Sequence, residues 1–245
     1  MAFFQDMRPS REPFLNAPAM IFWLIAVLVA AHVARVMAPE PWPQFLLFEF
    51  AFIPARYSAA AIAASGMPMP NLAGQVIPFI SYMFLHGDYT HVGINSLWLL
   101  AFGPIVAKRL KTWKFLLFFF LCGVVSAAAH LAVYFGAVEQ VVGASGAVSG
   151  LMGAAIRIFY GRLYFGRNMP AGEIPPIAPL LSRPILGFTA VWLVANSIAG
   201  VTGLGLTDPS TSVAWVAHVG GYFAGLLGIT VFDRFTFSTE QARPA

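Results

Sequence analysis

Charged residues are scarce in this chain of 245 residues, because Asp, Glu, Lys and Arg together make up only 10% of it. Soluble globular domains carry roughly a quarter of such residues, so the composition excludes that class. Cysteine is also nearly absent: Cys122 alone excludes an intramolecular disulfide framework and a structural zinc site built from several cysteines. Hydrophobic residues make up 59% of the chain. We therefore expect a protein whose partner is the lipid bilayer.

The formal net charge is only +4, and the basic residues lie between apolar runs instead of forming one cluster. A nucleic-acid interface requires a basic patch, so we expect no nucleic-acid partner. We expect no nucleotide or metal cofactor either. His86 and His91 are five residues apart, which puts them on different faces of a helix, and no carboxylate in the apolar segments joins them. Nothing in the sequence indicates an oligomeric state.

Long apolar segments dominate the chain. A transmembrane helix needs about 20 mostly apolar residues to cross the hydrocarbon layer. Six segments meet or approach this length: residues 19–36, 92–107, 113–135, 143–160, 184–201 and 212–232. The second is short unless it begins near Tyr89. We predict an all-α membrane protein, a bundle of six transmembrane helices that occupies residues 19–235.

The connection 39–88 is long and is interrupted by Pro68, Pro70 and Pro78. Proline frees backbone groups that find no water in lipid, so we expect this connection to lie on the membrane instead of crossing it. Residues 45–65 are predicted to form helical turns in the interface. The segment 1–18 shows no short apolar core followed by a small-residue cleavage site, so we expect no removable signal peptide.

The basic residues predict the orientation of the bundle. With six crossings, twelve of the 14 Lys and Arg residues fall on one side, and only Arg35 and Arg56 fall on the other. Basic loops stay in the cytoplasm. We therefore predict a multi-pass protein of a bacterial cytoplasmic membrane. Its N-terminal segment 1–18 and its C-terminal tail 236–245 would both be cytoplasmic.

Polar side chains inside apolar segments are costly and suggest function. His91 and Asn95 stand four residues apart at the start of the second segment, so they share one helix face and point two hydrogen-bond donors the same way. Taken alone, they fit hydrogen bonding between helices equally well. We expect His32 and His130 to make such local bonds.

Ser145 begins the fourth segment in a run rich in glycine. One interpretation is a packing seam, because Gly146 and Gly150 are four residues apart and let two helices approach closely. The other is a nucleophile. The elbow of soluble hydrolases is excluded, since it requires glycine where this chain has Ala147 and a strand before the turn.

His218, Gly221 and Gly225 fall on one face of the sixth segment. If the helix that carries Ser145 packs into this face, its hydroxyl reaches an imidazole nitrogen of His218. The second, fourth and sixth segments run in the same direction, so the polar residues at their starts share one depth, on the non-cytoplasmic side. Packing alone does not require this convergence, so we favour an active site.

The three motifs together resemble those of the rhomboid family of intramembrane serine proteases. The motifs are Gly143-Ala144-Ser145-Gly146, Ala217-His218 followed by Gly221 and Gly225, and His91 to Asn95. Their order, the long first loop and the six apolar segments extend the resemblance over nearly the whole chain.

The resemblance implies that Ser145 is the nucleophile and His218 its general base and then acid. The oxyanion would be bound by His91, Asn95 and the backbone N–H of Ser145. The glycines of the motifs would pack the helices near the site: Gly143, Gly146, Gly221 and Gly225. The implied reaction is cleavage of single-span transmembrane proteins near the non-cytoplasmic boundary, through an acyl-enzyme and without an aspartate.

Ser149 departs from the family pattern, because many members have an aromatic residue there that packs against the catalytic histidine. Another residue must therefore hold the ring of His218, and Trp215 and Tyr222 are the candidates by position. A non-catalytic relative that only binds membrane segments would need neither Ser145 nor His218. A transporter or channel would need polar residues deeper in the spans, whereas residues 99–102, 151–155 and 226–231 are almost wholly apolar.

Overall fold

The computed structural model describes residues 17–166, 169–170, 173–202 and 214–241, without the side chains of 201–202 and 235–241. The helices are α1 (Ala19–Met37), α2 (Trp42–Phe50), α3 (Ala59–Ser65), α4 (Leu72–Val76), α5 (Pro78–Ser81), α6 (Tyr89–Val133), α7 (Ser145–Phe165), α8 (Arg183–Thr202) and α9 (Trp215–Gln241). Two 3-10 turns, Pro54–Tyr57 and Tyr82–Phe84, lie between them. These ranges contain no β-strand, only an isolated antiparallel bridge between Phe52 and Val141. The predicted all-α class is confirmed.

Each of the six predicted segments overlaps a helix over most of its length. The second and third share α6, which breaks at Lys111 (φ 61°, ψ 174°) into segments 89–110 and 112–133. Within the described ranges, three helices are long and apolar enough to cross a membrane: Ala19–Met37, Tyr89–Val133 and the part Trp215–Arg234 of α9. These helices indicate an integral membrane protein. The number of six crossings stays a prediction.

The structure describes only part of the predicted terminal segments. Most of the predicted N-terminal segment, and the start of the sixth predicted segment at 212–213, lie outside the described residues. Helix α9 continues to Gln241, so residues 236–241 of the predicted tail are helical, and 242–245 lie outside the described residues.

Helix α7 lies at the centre of the bundle, where it packs against both α6 and α9. Its residues from Gly146 to Ala155 are all buried. Small residues allow this because other backbones come very close to the helix. An ideal Cβ on Gly153 would lie 2.4 Å from the carbonyl oxygen of Tyr222, and one on Gly150 would lie 2.5 Å from the Cβ of Cys122. The position of α7 in the bundle is therefore determined by tight contacts with α6 and α9.

The connection between α1 and α6 consists of short helices, as the prolines predict. Two buried arginines hold its backbone, one from within the connection and one from α1. Arg56 donates hydrogen bonds to the carbonyl oxygens of Phe48 and Glu49. Arg35 of α1 donates to the carbonyl oxygen of His86 at 2.7 Å. The two basic residues predicted on the non-cytoplasmic side thus bind backbone carbonyls.

At the opposite end of the bundle, buried cations join helices that are distant in sequence. The guanidinium of Arg109 binds both carboxylate oxygens of Asp233 at 2.5 and 2.8 Å and the carbonyl oxygen of Pro175 at 2.7 Å. Arg157 of α7 donates to the carbonyl oxygen of Leu226 and to the hydroxyl of Thr230, each at 2.7 Å. Some of the basic residues that predict orientation are therefore also structural.

Candidate active site

A sharp turn places Ser145 at the first position of α7. Gly143 has φ of +110°, a conformation that side chains rarely adopt. Its N–H donates to the carbonyl oxygen of Tyr82 at 2.9 Å, which fixes the turn against the connection between α1 and α6. The helix then starts with the hydrogen bond from Val148 N–H to the carbonyl oxygen of Ala144 at 2.9 Å. Ser145 thus lies at the N-terminus of a buried helix and is itself partly exposed.

Ser145 Oγ lies 2.8 Å from Nε2 of His218 on α9. Close packing of α7 on α9 makes this distance possible. An ideal Cβ on Gly221 would lie 2.0 Å from the carbonyl oxygen of Gly146, so only glycine permits this approach. The approach of the two side chains that the sequence predicted is present, and the glycine seam and the polar pair belong to the same interface.

The second nitrogen of the His218 ring contacts a residue that the sequence analysis did not identify. Nδ1 lies 3.0 Å from Oδ1 of Asn196 on α8, and the amide nitrogen of Asn196 donates to the carbonyl oxygen of Trp215 at 3.1 Å. Asn196 is only 9% exposed. A signal was available: Asn196 is an amide inside an apolar segment, the criterion that selected Asn95.

The two aromatic candidates for holding the His218 ring have other contacts. Tyr222 stacks on Trp192 with ring centroids 4.3 Å apart, and its hydroxyl shares a 2.8 Å hydrogen bond with Thr189. Trp215 contributes its backbone carbonyl oxygen, through Asn196. Ring orientation in this chain therefore involves a hydrogen bond that His218 donates to Asn196 of α8.

His91 and Asn95 face the turn that leads to Ser145. The carboxylate of Asp88 caps α6 by accepting from the backbone N–H of His91 at 2.8 Å. An ideal Cβ on Gly143 would lie 2.6 Å from Nε2 of His91 and 3.4 Å from Nδ2 of Asn95. Asn95 is 2% exposed, and its Nδ2 has no hydrogen-bond partner in the described part of the chain. A buried donor thus lies beside the turn, available to an acceptor that enters there.

His86 supports the same turn from the connection before α6. Its Nε2 accepts a long hydrogen bond, 3.5 Å, from the backbone N–H of Ala144. Burial first, and then the neighbouring His91 and His32, lower the pKa of His86 to about 3. Its ring is therefore neutral at pH 7 and able to accept. The carbonyl of His86 accepts from Nδ1 of His32 at 3.1 Å, so His32 bonds to the connection before α6 and not, as we predicted, to a neighbouring helix.

No three His, Cys, Asp or Glu side chains come together among the described residues, so these side chains form no metal site there. Cys122 is a buried free thiol. We predicted that His130 would bond to a neighbouring helix. Its ring instead packs against Tyr134, with ring centroids 4.7 Å apart. Neither ring nitrogen has a hydrogen-bond partner within the described ranges.

Comparisons with known proteins point to one family. A family model described as "Rhomboid domain" matches residues 73–234, which include all three motifs. The chain is 30% identical over 153 residues to the rhomboid protease GlpG of Yersinia pestis (strain Pestoides F). The same identity and length hold for the rhomboid protease GlpG of Yersinia pseudotuberculosis serotype O:3 (strain YPIII). Each match covers 62% of this chain and 47% of the relative, so the chain spans about half the length of the curated relatives it matches.

Proposed function

The chain belongs to the rhomboid family, and from this premise we propose that it is an intramembrane serine endopeptidase. Its substrates would be single-span transmembrane proteins, cleaved near the non-cytoplasmic boundary of the membrane. The observation that carries the proposal is the 2.8 Å contact between Ser145 Oγ and His218 Nε2. A hydroxyl within hydrogen-bond distance of an imidazole nitrogen is the arrangement that nucleophilic catalysis by serine requires.

The reaction uses Ser145 and His218 twice. As Oγ attacks the scissile carbonyl carbon, neutral His218 takes the hydroxyl proton on Nε2. The tetrahedral intermediate then breaks its C–N bond, and His218 gives the proton to the leaving amine. An acyl-enzyme remains. Water next attacks this ester while His218 takes a proton from the water. The C–O bond to Ser145 then breaks, His218 returns the proton to Oγ, and the second product leaves as a carboxylic acid. The partial exposure of both side chains is consistent with entry of that water.

Negative charge develops on the carbonyl oxygen during each attack. Three hydrogen-bond donors would stabilise this charge: Nδ2 of Asn95, a ring nitrogen of His91 and the backbone N–H of Ser145. Asn95 suits this role because its buried Nδ2 lies beside Gly143 without a hydrogen-bond partner among the described residues. The Ser145 N–H belongs to the first turn of α7, where the helix dipole favours negative charge.

A substrate must lose helical structure where it is cut. The peptide bonds of a helix are shielded by their own hydrogen bonds, and in lipid no water replaces them. Cleavage near the boundary fits this requirement, because the site residues lie at the starts of α6, α7 and α9 instead of their middles. With both termini in the cytoplasm, as the basic residues predict, these starts face the non-cytoplasmic side.

A relative that only binds membrane segments is the second candidate. Binding alone would require neither the contact between Ser145 and His218 nor the buried donor of Asn95, which has no hydrogen-bond partner among the described residues. A channel is disfavoured by the apolar inner halves of the helices. Binding without cleavage is therefore the alternative that an experiment must separate from proteolysis.

The experiment reconstitutes the purified protein in liposomes with a panel of single-span reporter segments. We expect cleavage by the wild type and none by Ser145→Ala or His218→Ala. Ser149→Ala is the matched control, because it removes another serine hydroxyl, a buried one, one turn further along α7. It should cleave like the wild type. Binding of reporters without cleavage by the wild type would contradict the proposal and favour the binding function.

A further inference from the structure

The side-chain amide of Asn196 makes two hydrogen bonds, and the partner of its nitrogen determines which atom faces His218. Its two polar atoms lie 3.1 Å from the Trp215 carbonyl oxygen and 3.0 Å from Nδ1 of His218. A carbonyl oxygen can only accept a hydrogen bond, so the amide nitrogen must face Trp215. The amide oxygen therefore faces His218.

The same logic assigns the proton on the ring. An amide oxygen can only accept, so Nδ1 of His218 must carry the hydrogen. In a neutral imidazole the other nitrogen then has a lone pair, and Nε2 points this lone pair at Ser145 Oγ, 2.8 Å away. A chain of hydrogen bonds thus runs from a backbone carbonyl of α9, through Asn196 and His218, to the Ser145 hydroxyl.

We propose that Asn196 is a positioning residue that holds the neutral His218 ring in the form with hydrogen on Nδ1. In the opposite form Nε2 carries the hydrogen, so the ring cannot accept the Ser145 proton. Asn196 acts through His218 and does not touch the reacting atoms. The inference rests on the proposed function, because the tautomer matters for cleavage only if Ser145 and His218 are the reacting pair.

Asn196 links His218 to a different helix. Asn196 belongs to α8, whereas His218 and Trp215 belong to α9, so the ring is held only when α8 packs against α9. Elsewhere α8 exposes large apolar side chains: Leu186, Val191, Val194 and Ile198. Movement of α8 away from α9 would remove the amide from the ring. The proton-accepting form of His218 is thereby coupled to the position of α8.

The chain offers a matched control on the same interface. Thr189 of α8 shares a 2.8 Å hydrogen bond with the hydroxyl of Tyr222 on α9. Thr189→Val removes a polar link between these helices without touching His218. Asn196→Ala and Asn196→Leu remove the amide, and Leu keeps much of its volume. If Asn196 merely ties α8 to α9, the Thr189 and Asn196 variants should behave alike.

The test combines kinetics in liposomes with nitrogen NMR of the histidine rings in the full chain, the His218 signals being assigned by their loss in His218→Ala. We expect hydrogen on Nδ1 in the wild type. Both Asn196 variants should fold, lower kcat about 10- to 100-fold with little change in KM, and give a mixture of tautomers. Thr189→Val should keep the wild-type kcat and tautomer.

Three results would overturn the proposal: hydrogen on Nε2 in the wild-type ring, wild-type kcat in a folded Asn196 variant, or an equal loss of kcat in Thr189→Val. The wild-type spectrum decides the ring assignment even if both Asn196 variants fail to fold. If the wild type cleaves no reporter, the proposed function fails, while the spectrum still tests Asn196. The two failures are thus distinguishable.

Discussion

Gly225 of α9 lies directly against the backbone carbonyl of Gly150 in α7, and an ideal Cβ on Gly225 would lie only 1.8 Å from that oxygen. No side chain fits in this gap. The contact sets the distance between the two central helices, and that distance brings Ser145 within reach of His218. The glycine seam and the candidate active site therefore depend on the same packing.

We expect Gly225→Ala to push α9 away from α7. Overpacking of this kind costs about 1–3 kcal/mol of unfolding free energy. Cleavage should fall by about 100-fold, because a displacement of 1 Å is enough to misplace a reacting pair. Unfolding in mixed micelles and cleavage in liposomes measure the two effects. The control is Gly187→Ala on α8, where a Cβ meets nothing within 4 Å. Equal stability of the two variants would contradict this account.

The central interface could be predicted from sequence because it depends on helical periodicity. His218, Gly221 and Gly225 share a face in any α-helix, whatever its neighbours. The start of α7 was likewise readable from the glycines around Ser145. Since α6, α7 and α9 begin on one side, the order of apolar segments was enough to bring their polar starts to one depth.

Asn196 could not be assigned in the same way. A polar residue in an apolar helix is visible in the sequence, but the direction it faces depends on how α8 rotates against α9, which is a tertiary property. The pairing of Arg109 with Asp233 has the same origin, since 124 residues separate them. The break at Lys111, by contrast, falls in the predicted gap between the segments 92–107 and 113–135, where basic residues interrupt the apolar run.

The role of Asn95 can be tested separately from the Ser145 pair. We expect Asn95→Ala to lower kcat by about 100- to 1,000-fold, the loss found when one donor to an oxyanion is removed. KM should change little, because the donor acts on charge that develops in the transition state. Ser96→Ala is the control: its hydroxyl donates to the Val92 carbonyl within the same helix. A kcat of Asn95→Ala within threefold of the wild type would exclude Asn95 as an oxyanion donor.

The ion pair between Arg109 and Asp233 should contribute to stability and not to chemistry. Both side chains are largely buried, at 5% and 13% exposure, and two hydrogen bonds join them. Removing one partner leaves the other charge uncompensated, so we expect Arg109→Ala and Asp233→Ala each to cost about 3 kcal/mol. The double variant should cost less than the sum of the two. Strictly additive losses in a double-mutant cycle would show that the pair is not coupled.

Acid should weaken the fold through His86, which lies in the connection before α6. The pKa of this ring is lowered to about 3 by burial and by the neighbouring His91 and His32, against 6.5 for an ordinary histidine. Above pH 6.5 the ring is neutral in both the folded and the unfolded chain, so it contributes no pH dependence. Between pH 6.5 and pH 3 only the unfolded chain binds the proton. The free energy of unfolding should then fall by up to about 1.4 kcal/mol per pH unit from this group.

His86→Gln isolates that contribution, because glutamine keeps an acceptor for the Ala144 N–H but does not titrate. The other titratable groups near the site, including His32 and His91, are present in both proteins, so they largely cancel in the difference between the two curves. Arg35 stays charged throughout this pH range. Unfolding in micelles between pH 7.5 and pH 4, a range chosen to span about 6.5, should show the variant losing less stability than the wild type as pH falls. Parallel curves would mean that His86 takes up its proton equally in the folded and unfolded chains. In that case the neutral ring would not be what supports the turn before Ser145.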